Sequence, residues 1–171
     1  YLFLALLNIL ASALYFAPGY FTWWSFQVFL LLLLSAAFDL LTTELCTFCL
    51  FNSTFVMIGV FVMSVIRSED GDDMLTRTAA SAGLGLYALQ TFAVHYLPWI
   101  VTASTLPRPD PSDLEQLSAS LACAVSFFAI YLGLYDPEDV YGVPVSSTTG
   151  FVIAAAFLVV VTAGLRVAGF H

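Results

Sequence analysis

Long runs of apolar residues with almost no charged side chains dominate this 171-residue sequence. Six such runs cover about 1–16, 22–43, 45–66, 74–96, 112–135 and 147–169. A helix needs about 20 mostly apolar residues to cross the roughly 30 Å hydrocarbon core of a bilayer. Only 9% of the residues are charged, against about 25% in an average soluble domain. The sequence therefore predicts an all-α, polytopic membrane protein with about six transmembrane helices.

The charge pattern excludes one class of partner. The formal net charge is −8, and the four cationic residues are scattered along the chain. Nucleic-acid binding needs clustered cations against the phosphate backbone, so we expect no nucleic-acid partner. The predicted partners are the lipid bilayer and whatever proteins lie beside the helices.

Two features predict how the chain is divided. It begins at Tyr1 rather than Met, and no basic segment precedes the first apolar run. We therefore expect a chain truncated at its N-terminus rather than one with a signal peptide. Residues 98–111 contain four prolines, which predict a stiff connector because proline fixes φ and lacks a donor. This connector separates a bundle over 1–97 from two further helices over 112–171.

The most specific short motif is Cys46-Thr-Phe-Cys49, at the start of the third apolar run. A zinc site would need two more ligands at suitable spacing, and none is evident, so no metal is predicted. Positions i and i+3 of a helix lie close enough for a disulfide, and a helix N-terminus favours the thiolate. The alternative is that both cysteines are small apolar residues in a packed helix. Spacing alone leaves both interpretations open.

The segment around this motif resembles a known family. CTFCLFNSTFVMIGVFVMSVI is similar to the fourth helix of vitamin K epoxide reductases, which a Cys-x-x-Cys opens, and SFQVFLLLLLSAAFDLLTTEL is similar to the helix before it. The resemblance covers about residues 1–97 and makes the first four helices reductase-like. It implies a membrane thiol–disulfide oxidoreductase in which Cys46 exchanges with the thiol of a partner protein. Electrons then pass to a quinone beside Cys49, either phylloquinone, plastoquinone or ubiquinone.

Three residues follow Cys49 on roughly the same helical face, namely Asn52, Ser53 and Val56. We predict that they line the quinone site, where a polar group would hydrogen-bond a quinone oxygen. For Asn52 the alternative is a hydrogen bond between helices.

A second functional hypothesis comes from the parts that the resemblance leaves out. The family carries a further cysteine pair upstream of the matched region, and helices five and six have no counterpart in it. These differences favour a non-catalytic accessory subunit of a large bioenergetic membrane complex, binding chlorophyll or carotenoid and neighbouring subunits. His95 is the candidate ligand for a pigment or haem metal. A channel or transporter is a third interpretation, disfavoured because no charged pathway is evident. A thylakoid membrane is the favoured location, with mitochondrial inner and bacterial plasma membranes as alternatives.

Overall fold

The computed structural model describes residues 1–14, 16–65, 83–105 and 114–141, and the single positions 149, 152, 156 and 159. Every element in these residues is a helix, which confirms the all-α prediction. In chain order the elements are α1 (Leu2–Leu14), α2 (Phe21–Ala37), α3 (Thr43–Val65), α4 (Leu84–Thr91), a π-helical turn (Phe92–Tyr96), α5 (Leu97–Thr105), α6 (Leu114–Leu134) and α7 (Pro137–Tyr141). The sixth predicted span, about 147–169, lies outside the described residues apart from the four single positions.

Helix length and apolar character identify one described segment that is able to cross a bilayer unaided. It is Thr43–Val60 within α3. Shorter apolar helices cover Leu2–Ala13, Phe21–Ala37 and Ser118–Leu134.

Helix α2 is shorter than the sequence predicts. The apolar run suggests a helix to about Thr43, whereas α2 ends at Ala37. Asp39 adopts a left-handed conformation with φ of 55°, and the amide of Leu40 donates to the carbonyl of Ser35 at 2.8 Å. This bonding pattern closes a helix C-terminus, and Asp tolerates the left-handed region better than most residues.

The first part of the predicted 98–111 connector is helical, because residues 97–105 form α5. The π-helical turn just before it explains how a proline is accommodated. In a π-helix each hydrogen bond joins residues five apart, and here the amide of Leu97 donates to the carbonyl of Phe92. This turn relaxes the regular hydrogen-bond ladder at the point where Pro98 has no amide hydrogen to contribute. Residues 106–111 lie outside the described part of the chain.

Helix α3 lies at the centre of the described bundle. It packs against α2, α5, α6 and the π-helical turn, while α1 packs against α2. On the side of α2, the buried set comprises Phe26, Phe29, Leu32 and Leu33 with Cys46 and Cys49 of α3. On the side of α6, Phe51 packs with Ala124, and Val56 packs with Phe128 and Tyr131.

The loop between α1 and α2 is held by aromatic side chains from distant parts of the chain. The Tyr131 hydroxyl donates to the carbonyl of Gly19 at 2.7 Å, and Trp24 Nε1 donates to the carbonyl of Pro18 at 2.8 Å. The Tyr141 hydroxyl accepts from the amide of Phe21 at 2.8 Å, which satisfies one of the free donors at the start of α2. Burial raises the pKa of Tyr141, so this hydroxyl stays protonated.

Candidate functional site

The beginning of α3 places the two cysteines of the Cys-x-x-Cys motif. Thr42 caps the helix, since its Oγ1 accepts from the amide of Leu45 at 3.3 Å. The amide of Cys46 donates to the carbonyl of Thr42 at 3.1 Å and is therefore already part of the helical ladder. The motif lies one turn inside the helix rather than at its open end, which weakens the predicted influence of the helix N-terminus on the thiol.

Both cysteines of the motif are buried in the apolar core between α2 and α3. Cys46 is 2% exposed and Cys49 is 1% exposed. Both are free thiols, and both belong to the same packed cluster. The described residues therefore shield these sulfurs from water and from an incoming thiol.

Cys49 makes a polar contact with a residue that sequence reasoning missed. Its Sγ lies 3.6 Å from Oγ1 of Thr102 on α5. The Thr102 hydroxyl donates its single hydrogen to the carbonyl of Pro98, at 2.6 Å. Because a hydroxyl carries one hydrogen and two lone pairs, the Cys49 thiol must be the donor in the Cys49–Thr102 contact. The chain of bonds runs from Cys49 through Thr102 to Pro98 and joins α3 to α5.

The sequence contains only a weak signal for Thr102. In a helix, a threonine hydroxyl readily donates to the carbonyl of the residue four positions earlier. Thr102 stands four positions after Pro98. That Thr102 faces Cys49 depends on tertiary packing across 53 residues of chain, which no local pattern reports.

The three residues predicted to line a quinone site make contacts of different kinds, since two bond within α3 and one packs against α6. Asn52 Nδ2 donates to the carbonyl of Phe48 at 2.9 Å, and Ser53 Oγ donates to the carbonyl of Leu50 at 3.2 Å. Both side chains are buried and bond within α3, so neither bond is the interhelical one considered for Asn52. Val56 packs in the cluster at α6, whereas Cys49 packs in the cluster at α2.

His95 lies in the π-helical turn and is partly buried. Its Nδ1 is 3.0 Å from the carbonyl of Thr91. A carbonyl only accepts, so Nδ1 carries the hydrogen, and in the neutral ring Nε2 then presents a lone pair. This is the arrangement that metal-ligating histidines use, and π-helical turns are frequent at functional sites. The neighbouring Val94 packs against the cluster that contains the two cysteines.

Comparisons with other proteins do not extend this picture. Within the described residues, no group of three or more histidine, cysteine or acidic side chains is arranged to hold a metal ion. No family model, curated protein or solved structure matches this chain.

The contact between Cys49 and Thr102 leads to a prediction about stability. We expect Thr102→Val to lower the free energy of unfolding by about 1 kcal/mol, because the buried thiol loses its acceptor. Unfolding in detergent, followed by circular dichroism, measures the change.

Ser104→Ala on the same helix is the matched control. Its hydroxyl also bonds back four residues, to the carbonyl of Ile100, but it is exposed. Equal effects of the two substitutions would show that the thiol contact contributes nothing to stability.

Proposed function

We propose that this chain is an integral membrane protein that acts as a non-catalytic accessory subunit of a larger membrane assembly. The observation that carries the proposal is the arrangement of α1. Its inward side contains small and polar residues, Ala5, Asn8 and Ser12, of which Ala5 and Asn8 are fully buried. Its exposed side consists of large apolar residues, namely Leu2, Phe3, Leu6, Leu7, Ile9 and Leu10.

This arrangement is the reverse of a helix on a water-soluble protein, where the apolar stripe faces the core. Facing water, six large exposed apolar side chains on one helix would be a strong aggregation hazard. Small and polar residues between helices, with apolar residues outside, are typical of helices in lipid. Lipid or an apolar neighbouring subunit accounts for both sides of α1.

The interior of the bundle supports a packing role rather than a reactive one. The buried hydroxyls of Thr47, Ser53 and Thr102 each bond to a carbonyl of their own helix. Ring contacts of Phe21 with Phe55, Phe127, Phe128 and Tyr131 join α2, α3 and α6 at centroid distances of 4.9 to 5.8 Å. These contacts build a rigid scaffold, which suits a subunit that presents its outer faces to pigments, lipids and neighbouring proteins.

Membrane embedding is tested by introducing a charged residue on the exposed apolar side of α1. We expect Leu6→Arg to reduce stable insertion, since an arginine near the centre of a membrane helix costs about 2.5–3.5 kcal/mol. The measurement is the fraction of chain that resists alkaline carbonate extraction.

Leu40→Arg is the matched control, because Leu40 is also an exposed leucine but lies in the turn between α2 and α3. If carbonate extracts the wild type, the membrane proposal is wrong, and if both substitutions leave extraction unchanged, the outer side of α1 does not face lipid.

The accessory role predicts that the chain is isolated with other components. In mild detergent we expect it to migrate on native gels in an assembly with other subunits, and to fractionate with a bioenergetic membrane. We favour the thylakoid, with mitochondrial inner and bacterial plasma membranes as alternatives. A monodisperse single chain without pigment in several mild detergents would contradict this role.

A second candidate is the quinone-linked thiol–disulfide oxidoreductase suggested by the resemblance to vitamin K epoxide reductases. The observation in its favour is that two free thiols lie three residues apart on α3 and pack in one cluster. In such a reaction the Cys46–Cys49 dithiol would give two electrons and two protons to a quinone. The products would be the disulfide and a quinol, and a dithiol of a partner protein would then reduce the disulfide.

The redox state of the two thiols separates the candidates. The accessory role predicts that Cys46 and Cys49 remain thiols when a short-chain quinone is added to the native protein, because both are shielded by the core. Differential alkylation and mass spectrometry of the 44–54 peptide measure this. A disulfide that forms with quinone, is absent in Cys49→Ala and persists in Cys123→Ala would establish the oxidoreductase instead.

A further inference from the structure

One buried hydrogen-bond donor in α2 is left without an acceptor. Among the buried polar side-chain atoms of the described residues, only Trp23 Nε1 and Ser120 Oγ have no partner. The neighbouring Trp24 is different, because its Nε1 donates to the carbonyl of Pro18. An indole nitrogen can only donate, and native proteins rarely leave a buried donor unpaired. Trp23 Nε1 is therefore a donor that an acceptor from outside the described chain would satisfy.

We propose that Trp23 Nε1, near the start of α2, donates a hydrogen bond to the carbonyl oxygen of a lipid-soluble molecule. Two sources have this chemistry, namely the ester of a glycerolipid and the ring of a quinone. The proposal rests on the membrane placement proposed above, but it does not depend on which of the two functional candidates is correct.

The polar groups around Trp23 are already committed to one another. Gln27 Nε2 donates to Ser12 Oγ at 2.9 Å and to the carbonyl of Trp23 at 3.4 Å. Ser12 Oγ donates to Asn8 Oδ1 at 3.3 Å, and Asn8 Nδ2 donates to the carbonyl of Phe26 at 3.2 Å. This network crosses between α1 and α2, yet none of its acceptors reaches Trp23 Nε1.

An exposed aromatic side chain lies against Trp23. The ring of Phe16 meets the ring of Trp23 edge to face, with centroids 5.4 Å apart, and Phe16 itself is 72% exposed. Trp23 is therefore in contact with a residue at the outer surface of the described bundle.

The charge of this region selects a neutral acceptor. The described residues contain no Lys or Arg, so none of their side chains offers a phosphate or carboxylate at this place a counter-charge. Trp23 lies one turn into α2, at the end of the bundle where the loop leaves the helices. Tryptophans prefer the membrane–water interface, close to the depth of lipid ester carbonyls. A neutral carbonyl on an apolar molecule needs no cationic partner, and it fits the interfacial position of Trp23.

The test compares two lipids that differ only in the carbonyl and adds a quinone as a third probe. The purified full chain is titrated with a diester phosphatidylcholine, a diether phosphatidylcholine of the same chains and head group, and decylubiquinone, and native mass spectrometry counts the bound molecules. We expect one molecule of diester lipid, or one of quinone, to bind about three- to tenfold more tightly than the diether lipid, the range expected for one hydrogen bond.

Trp23→Phe keeps an aromatic ring and removes the donor, so it should bring the affinity of the carbonyl ligand down to that of the diether lipid. Trp99→Phe, on α5, is the matched control and should retain the difference. Preference for the diester identifies a glycerolipid, and preference for decylubiquinone alone identifies a quinone.

Equal binding of all three probes by wild type would overturn the proposal, and this comparison needs no variant to fold. Carbonate extraction of the same protein separates the two levels of inference. A chain that resists extraction but does not discriminate between the probes contradicts only the carbonyl site, whereas a chain that is extracted contradicts the membrane placement itself.

Discussion

Packing against α3 is the constraint on which the rest of the described bundle depends. The helix meets α2 and α5 through the cluster that contains both motif cysteines, and it meets α6 through phenylalanines further along. Because one helix serves three neighbours, a change in its rotation would disturb all of these contacts together. The Cys-x-x-Cys motif lies in the buried cluster between α2 and α3, so spacing suited to redox chemistry coexists with full burial.

The polar side chains of the bundle follow a second constraint. A buried polar group in an apolar medium must be paired within the protein. Threonine and serine hydroxyls on α3 and α5 meet this need by bonding to their own helices, while Asn8, Ser12 and Gln27 bond across α1 and α2. Bonds within one helix place no restriction on how that helix packs against its neighbours. Bonds between α1 and α2 fix the register of that helix pair. Among the described residues, Trp23, next to that register-fixing network, is one of two places where this pairing is incomplete, the other being Ser120.

Sequence reasoning and the structure agree where a property is local. Apolar runs and low charge predict an all-helical chain, and every described element is a helix. The helices α1, α2, α3 and α6 each coincide with a predicted run, and most of their ends differ from the predicted ends by only a few residues. The errors come from single residues with special backbone behaviour. Asp39 ends α2 early through a left-handed conformation, and a π-helical turn carries the helix through Pro98. In the candidate site, Cys46 and Cys49 were evident from spacing, whereas Thr102 and the unpaired nitrogen of Trp23 follow from contacts between helices that no periodicity encodes.

The cap on α2 has a consequence for biosynthesis. The amide of Phe21 is satisfied by a side chain 120 positions further along the chain, and the loop before it is tied to a residue 112 positions away. Ribosomes add about 5–20 residues per second, so the hairpin of α1 and α2, which ends at Ala37, exists for roughly 5–21 s before Tyr141 is made. During that interval the hairpin is held by its own polar network. The order of synthesis thus divides assembly into two stages. In the early stage α1 and α2 pair with each other, and in the late stage Tyr131 and Tyr141 bond to the loop between them and to the start of α2.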